Sequence, residues 1–189
     1  MQLRISNVKI SFFIRGIDLI AFNRLKNAIK CKVYGNFIVF NCPTRIVCTL
    51  FSTGHVNATG IKMLDQINDT ADKVMSQLND ALQESSLSID KKGTRVDNIS
   101  AAGFYGPIRE NFLKIISRMK LIECVYDNVL KVSYNNQKFP GLFIKTQPAM
   151  IIAYKSGKFV IVGSRTLKSL KQTASIVRLI FLHSNKNIK

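Results

Sequence analysis

The sequence predicts an α+β fold built from two tandem, pseudo-symmetric repeats that share an antiparallel sheet, and two observations carry that prediction. Residues 139–166, FPGLFIKTQPAMIIAYKSGKFVIVGSRT, repeat the order of parts of residues 34–62, YGNFIVFNCPTRIVCTLFSTGHVNATGIK. Each copy has an aromatic residue, an apolar run, a Pro-containing turn, a second apolar run ending on an aromatic, a Gly turn and a third run, which is the punctuation of a meander. Each copy also follows a strand and a helix and precedes another helix, so the same unit occurs twice. Antiparallel strands with helices on one face leave the other face open. Twist curves such a sheet, so the expected body has helices on its convex side and a free, basic concave surface.

The elements follow in order. Residues 3–14 alternate as a strand that Gly16 breaks, and Asp18 is placed to cap a helix over 19–30 with Phe22, Leu25, Ala28 and Ile29 on one face. After the first meander, Leu64, Ile67, Ala71, Val74, Leu78 and Leu82 recur at steps of three and four, which predicts an amphipathic helix over 63–83. Residues 84–94, ESSLSIDKKGT, read as a linker. A strand over 95–106, a helix opened by Pro107-Ile108-Arg109 and running to 120, and a strand over 121–134 lead through Asn135-Asn136 into the second meander. A last helix covers 166–183 on Leu167, Leu170, Ala174, Val177 and Ile180. The domain reading is a first repeat over 1–83, the linker, a second repeat over 95–183 and a tail over 184–189.

A chain of 189 residues that is 47% apolar can bury a normal core, which excludes disorder. Its formal charge of +17 exceeds what solubility needs and points to a polyanionic partner. No Asp or Glu occurs in 19–64 or in 128–189, so both meanders lie in purely basic segments. Cys31, Cys42, Cys48 and Cys124 form no CxxC pair, and two distant His residues complete no zinc site, so the cysteines read as reduced thiols and no metal or cofactor is expected. The longest apolar run is short of a membrane span, and the N-terminus lacks a signal peptide's pattern. The expectation is a soluble protein inside a cell, with no membrane or small-molecule partner.

Over nearly its whole length the chain resembles the TATA-box-binding protein family. The resemblance rests on FPGL at 139–142 and SGK at 156–158, preceded by Asn98-Ile99 and Pro107-Ile108-Arg109, and in the first repeat on Asn7, Phe51, Gly54 and Thr59-Gly60-Ile61-Lys62. Low identity and a shortened turn after Phe143 mark a divergent member, read as a viral one. The resemblance implies a saddle-shaped sheet whose underside enters the DNA minor groove. It implies a kink of roughly 80°, a figure this family itself supplies.

By that resemblance the aromatics wedged between base steps are Tyr34 with Phe51, and Phe139 with Tyr154; the Tyr hydroxyls need a partner or water when buried. Asn7 and Asn98 match a symmetric pair that donates to A N3 and T O2, the only acceptors of an A·T minor groove. Thr59 assists them, whereas its counterpart Val162 cannot donate. Lys9 and Thr49 stand where the family has apolar floor residues, which weakens the implied TATA specificity. Lys62, Lys145, Lys158 and Arg165 match phosphate contacts, which raise affinity without reading sequence.

The implied function is an A·T-rich-promoter-binding, DNA-bending general transcription initiation factor, without enzymatic activity. Its partners are double-stranded DNA and, through an edge, the B-type initiation factor and RNA polymerase machinery. That edge, Asn135-Asn136-Gln137-Lys138, lacks the family's acids, so docking there is altered or lost. The location is the nucleus, or a cytoplasmic replication site for a viral protein. Two other classes remain open: a non-specific basic nucleic-acid coat, and a substrate-binding module of a nucleic-acid enzyme, for which the chain supplies no catalytic constellation.

Overall fold

Period-two alternation over the N-terminal residues produces β1 (Gln2–Arg15), which buries Val8, Ile10, Phe12 and Ile14 and turns Asn7, Lys9 and Phe13 to the other face. The computed structural model describes residues 2–43, 45–83, 87–90, 93–122 and 129–186. Asp18 ends the break after β1 and caps α1 (Leu19–Ala28), its carboxylate accepting the Ala21 N–H at 2.7 Å. Replacing Asp18 with Ala strands that N–H and is expected to cost roughly 0.5–2 kcal/mol, read as a lower denaturation midpoint. An unchanged midpoint would mean that the cap is dispensable.

The chain divides into two units, one of residues Asn7–Asp97 and one of Met1–Ser6 with Asn98–Lys189. The first holds β1 from Asn7 onward, β2 (Cys31–Tyr34), β3 (Phe37–Cys42), β4 (Ile46–Phe51) and β5 (His55–Ile61), antiparallel in the order β2-β3-β4-β5-β1. Ile38, Phe40, Ile46, Cys48, Leu50, Val56 and Ala58 are buried on one face. The amphipathic α2 (Gln66–Leu82) covers that face, bringing Ala71, Val74, Leu78 and Leu82 against β3 and β5, and α1 packs on α2. Burial holds the Cys42 thiol above its ordinary range and pushes that of Cys48 up to about 12, so at neutral pH both are protonated, apolar core groups. Together with Cys31 they are free thiols; Cys124 lies outside the described residues.

The segment read as a linker contains β6 (Ser88–Ile89), a two-residue strand paired with Ile14 and Arg15 at the end of β1; its residues 84–86, 91 and 92 lie outside the described residues. The second unit holds β7 (Arg95–Phe104) from Asn98 onward, β8 (Val129–Asn135), β9 (Phe139–Thr146), β10 (Met150–Ala153) and β11 (Lys158–Ser164), in the order β7-β11-β10-β9-β8, with the first residues of β1 beside β7. Here α4 (Leu167–Lys186) packs on β10 and β11, and α3 (Phe112–Ile122) on β8 and α4.

Two boundaries differ from the sequence expectation. The helix expected from Pro107 begins at Phe112, because Tyr105 and Ile108 donate their N–H groups to Gly157 and Lys155 of the β10–β11 turn and hold 105–111 against it. Asn111 then caps α3 by accepting the Leu113 N–H at 2.9 Å. Of the strand expected over 121–134, Leu121 and Ile122 belong to α3 and Val129 onward to β8; residues 123–128 lie outside the described residues, as do 187–189 of the expected tail. Each unit is thus an antiparallel sheet with helices on one face, and the expected α+β class with a duplicated meander holds.

Candidate nucleic-acid interface

Helices cover one face of each sheet, and the other face carries the residues singled out from the sequence. In the first unit this face presents Asn7, Lys9, Ser11 and Phe13 of β1, His55, Asn57 and Thr59 of β5, Val47, Thr49 and Phe51 of β4, and Phe37 and Val39 of β3. Asn7 sits at a bulge: Val8 faces Ile61 and Lys9 faces Thr59, leaving Gly60 extra, with φ of 108°. A bulge residue's N–H falls out of the ladder and needs another acceptor. Asn7 supplies it, its Oδ1 accepting the Gly60 N–H at 2.7 Å while its Nδ2 donates to Thr59 Oγ1 at 3.1 Å.

The second unit repeats the device. The ladder slips between Ile161 and Ser164, Gly163 has φ of 93°, and Asn98 Oδ1 accepts the Gly163 N–H at 2.7 Å. Val162, at the place of Thr59, offers no hydroxyl; Asn98 Nδ2 instead donates to Ser100 Oγ on its own strand at 3.0 Å. Each carbonyl is pinned by a backbone N–H and one hydrogen of each amide is held by the neighbouring hydroxyl, so among the described residues the other hydrogen has no partner. Ser100 escapes a sequence reading because it replaces its partner's function from a different strand.

The aromatics also gather, with one difference between units. Phe139 and Tyr154 meet with ring centroids 6.0 Å apart, and the Phe139 ring lies over Gly141, the residue that follows the β9–β10 register to Tyr154. In the first unit the cross-strand partner of Phe51 is Phe37, with centroids 5.5 Å apart. Tyr34 lies one strand further out on β2, stacked on Phe37 at 4.8 Å, and is 46% exposed. Phe37 therefore joins Tyr34 and Phe51 in one aromatic row. Beside Tyr154, a groove of about 740 Å³ opens, lined by Phe104, Lys158, Val160 and Arg4 among others.

Lys62, Lys145, Lys158 and Arg165 are all exposed, Lys62 just past β5 and Arg165 just past β11. Lys145 faces Lys131 directly across β9 and β8. Like charges set opposite one another destabilise a sheet unless an anion lies between or near them, and Lys131 is a cation the sequence reading missed. The turn Asn135–Lys138 is fully exposed, closed by the Lys138 N–H donating to the Asn135 carbonyl at 3.1 Å and the Gln137 N–H to Asn135 Oδ1 at 3.1 Å.

Residues 113–182 match the family model described as transcription factor TFIID, or TATA-binding protein. Among solved structures the chain is similar to Methanococcus jannaschii TBP, with a TM-score of 0.71 and 16% identity over 97% of this chain and 99% of that one. At that identity the likeness is one of fold. No curated protein matches the chain.

Proposed function

We propose that this chain, TATA-binding-protein-like in fold, binds double-stranded DNA through the minor groove with the helix-free faces of its two sheets and bends it, acting as a transcription initiation factor at A·T-rich promoters. The observation that carries the reading is the repeated clamp, Asn7 on Gly60 and Asn98 on Gly163, which fixes each amide by its carbonyl and leaves one N–H of each without a partner among the described residues. Donors of that kind complement the N3 and O2 acceptors of A·T pairs. Phe51 with Phe37, and Phe139 with Tyr154, are the wedges of this reading, and Lys62, Lys131, Lys145, Lys158 and Arg165 its phosphate contacts. Its role is binding rather than catalysis, in the nucleus or, for a viral protein, at a cytoplasmic replication site. With no acid at Asn135–Lys138, a B-type initiation factor docks there differently or elsewhere.

The test is competition between an A·T-rich and a uniformly G·C duplex at fixed salt, followed by a salt titration. The A·T duplex is expected to win, with affinity falling steeply as salt rises. Lys158→Ala and Arg165→Ala are each expected to lower the log–log slope by roughly one unit or less. Equal affinity for both duplexes favours the non-specific coat, and an affinity indifferent to salt removes nucleic acid from consideration.

A further inference from the structure

The middle of the open face has opposite chemistry in the two units. In the first, Ser11 on β1 faces Asn57 on β5, and Asn57 faces Thr49 on β4. In the second, Ala102 on β7 faces Val160 on β11, and Val160 faces Ile152 on β10. The two rows correspond: Asn57 precedes the clamped Gly60 by the same step as Val160 precedes Gly163, and Ser11 follows Asn7 as Ala102 follows Asn98. Asn57 and Thr49 are half-buried and Ser11 is nearly covered. Among the described residues these three side chains make no hydrogen bond, so their polar atoms are uncommitted within the chain.

An A·T pair shows the minor groove only acceptors, so a carboxamide pressed against it uses its NH2 and leaves its carbonyl without a donor. A G·C pair adds the guanine N2 amino group, a donor that the Asn57 carbonyl and the Thr49 and Ser11 hydroxyls can accept. Val160, Ile152 and Ala102 have no acceptor, and an amino group buried against them stays unpaired. Resting on the minor-groove reading, we infer that Asn57, with Thr49 and Ser11, is a specificity-determining set that admits G·C pairs beneath the first unit, while the second unit is confined to A·T. The recognised duplex is then asymmetric in composition.

Three duplexes test this with the full chain: all A·T, two G·C pairs in one half only, and G·C pairs in both halves. The second is expected to bind within about threefold of the first, and the third at least about tenfold more weakly. Asn57→Val combined with Thr49→Ile copies the other unit and is expected to weaken the second duplex about tenfold relative to the first. The converse Val160→Asn with Ile152→Thr is expected to strengthen binding of the third. Ratios between duplexes are read, so partial misfolding cannot imitate the result. A second duplex as weak as the third for the parent protein, or ratios unmoved in both variants, overturns the inference while leaving minor-groove binding in place. Single strands bound as tightly as the all-A·T duplex overturn the minor-groove reading itself.

Discussion

If the proposed minor-groove reading holds, replacing Phe51 and Phe139 together with alanine is expected to abolish most of the DNA bend that reading requires while leaving non-specific affinity nearly intact. The two rings head the aromatic clusters on the open faces, Phe51 against Phe37 and His55, and Phe139 against Phe143 and Tyr154. None of these contacts closes a core, since Phe51 and Phe139 are only half-buried, so the loss falls on the ligand rather than on folding. A ring inserted at a base step gives back stacking worth roughly 1–3 kcal/mol, taking single-strand base–aromatic stacking as a guide. Opening the step costs a few kcal/mol, so in the variant cost and gain vanish together and affinity falls less than bending. Energy transfer between dyes at the two DNA ends reads the bend, and titration with an A·T-rich site reads the affinity. A double variant that bends DNA as well as its parent makes these aromatics structural and favours the non-specific coat. Tyr34→Ala, added as a third change, separates the outer ring of the row from Phe37: little further loss is expected, because Tyr34 stacks on Phe37 from the neighbouring strand.

That distinction marks where the sequence stopped being legible. Strands whose two faces meet different surroundings announce themselves, as Val8, Ile10, Phe12 and Ile14 do, and α2 was readable from its stripe. The edge strand β2 was not, because Lys32, Val33 and Tyr34 are all exposed and leave no alternation to detect. Choosing between Tyr34 and Phe37 needed the register: Asn41 pairs with Val47 but Lys145 with Met150, so the first unit's turn is one residue longer, and a resemblance cannot say where the gap falls. Pro107 carried a local helix-start signal that the tertiary hydrogen bonds of Tyr105 and Ile108 override. Of the polar row, Thr49 stood out in the sequence, whereas Ser11 and Asn57 acquire meaning only when three strands are laid side by side.

The largest effect on stability is expected from Gly157→Ala, because two independent constraints meet at that residue. Gly157 has φ of 85°, where a side chain costs of order 1–3 kcal/mol in backbone strain. A Cβ there would also collide with the backbone carbonyl of Gly106, which cannot rotate away as a side-chain tip could. The position is fixed by hydrogen bonds on both sides: the Gly157 N–H donates to the Tyr154 carbonyl at 2.9 Å, and the Tyr105 N–H donates to the Gly157 carbonyl at 2.9 Å. The first unit uses the same arrangement at Gly54, with φ of 84°, where the N–H donates to Phe51 and the carbonyl accepts from Ile14, both at 2.9 Å. In each unit this turn ties the strand that ends on Phe51, or just before Tyr154, to the first strand of the sheet, so displacing it moves a proposed wedge as well as weakening the fold. Gly157→Ala is therefore expected to lower the unfolding free energy by about 2–4 kcal/mol, near the upper end of single-site effects, and to reduce bending by whatever protein remains folded. Gly35→Ala is the control, since a Cβ there meets nothing within 4 Å, and it is expected to be close to neutral. If denaturant midpoints for the two variants coincide, the hairpin is free to shift and the wedge is not held by the turn.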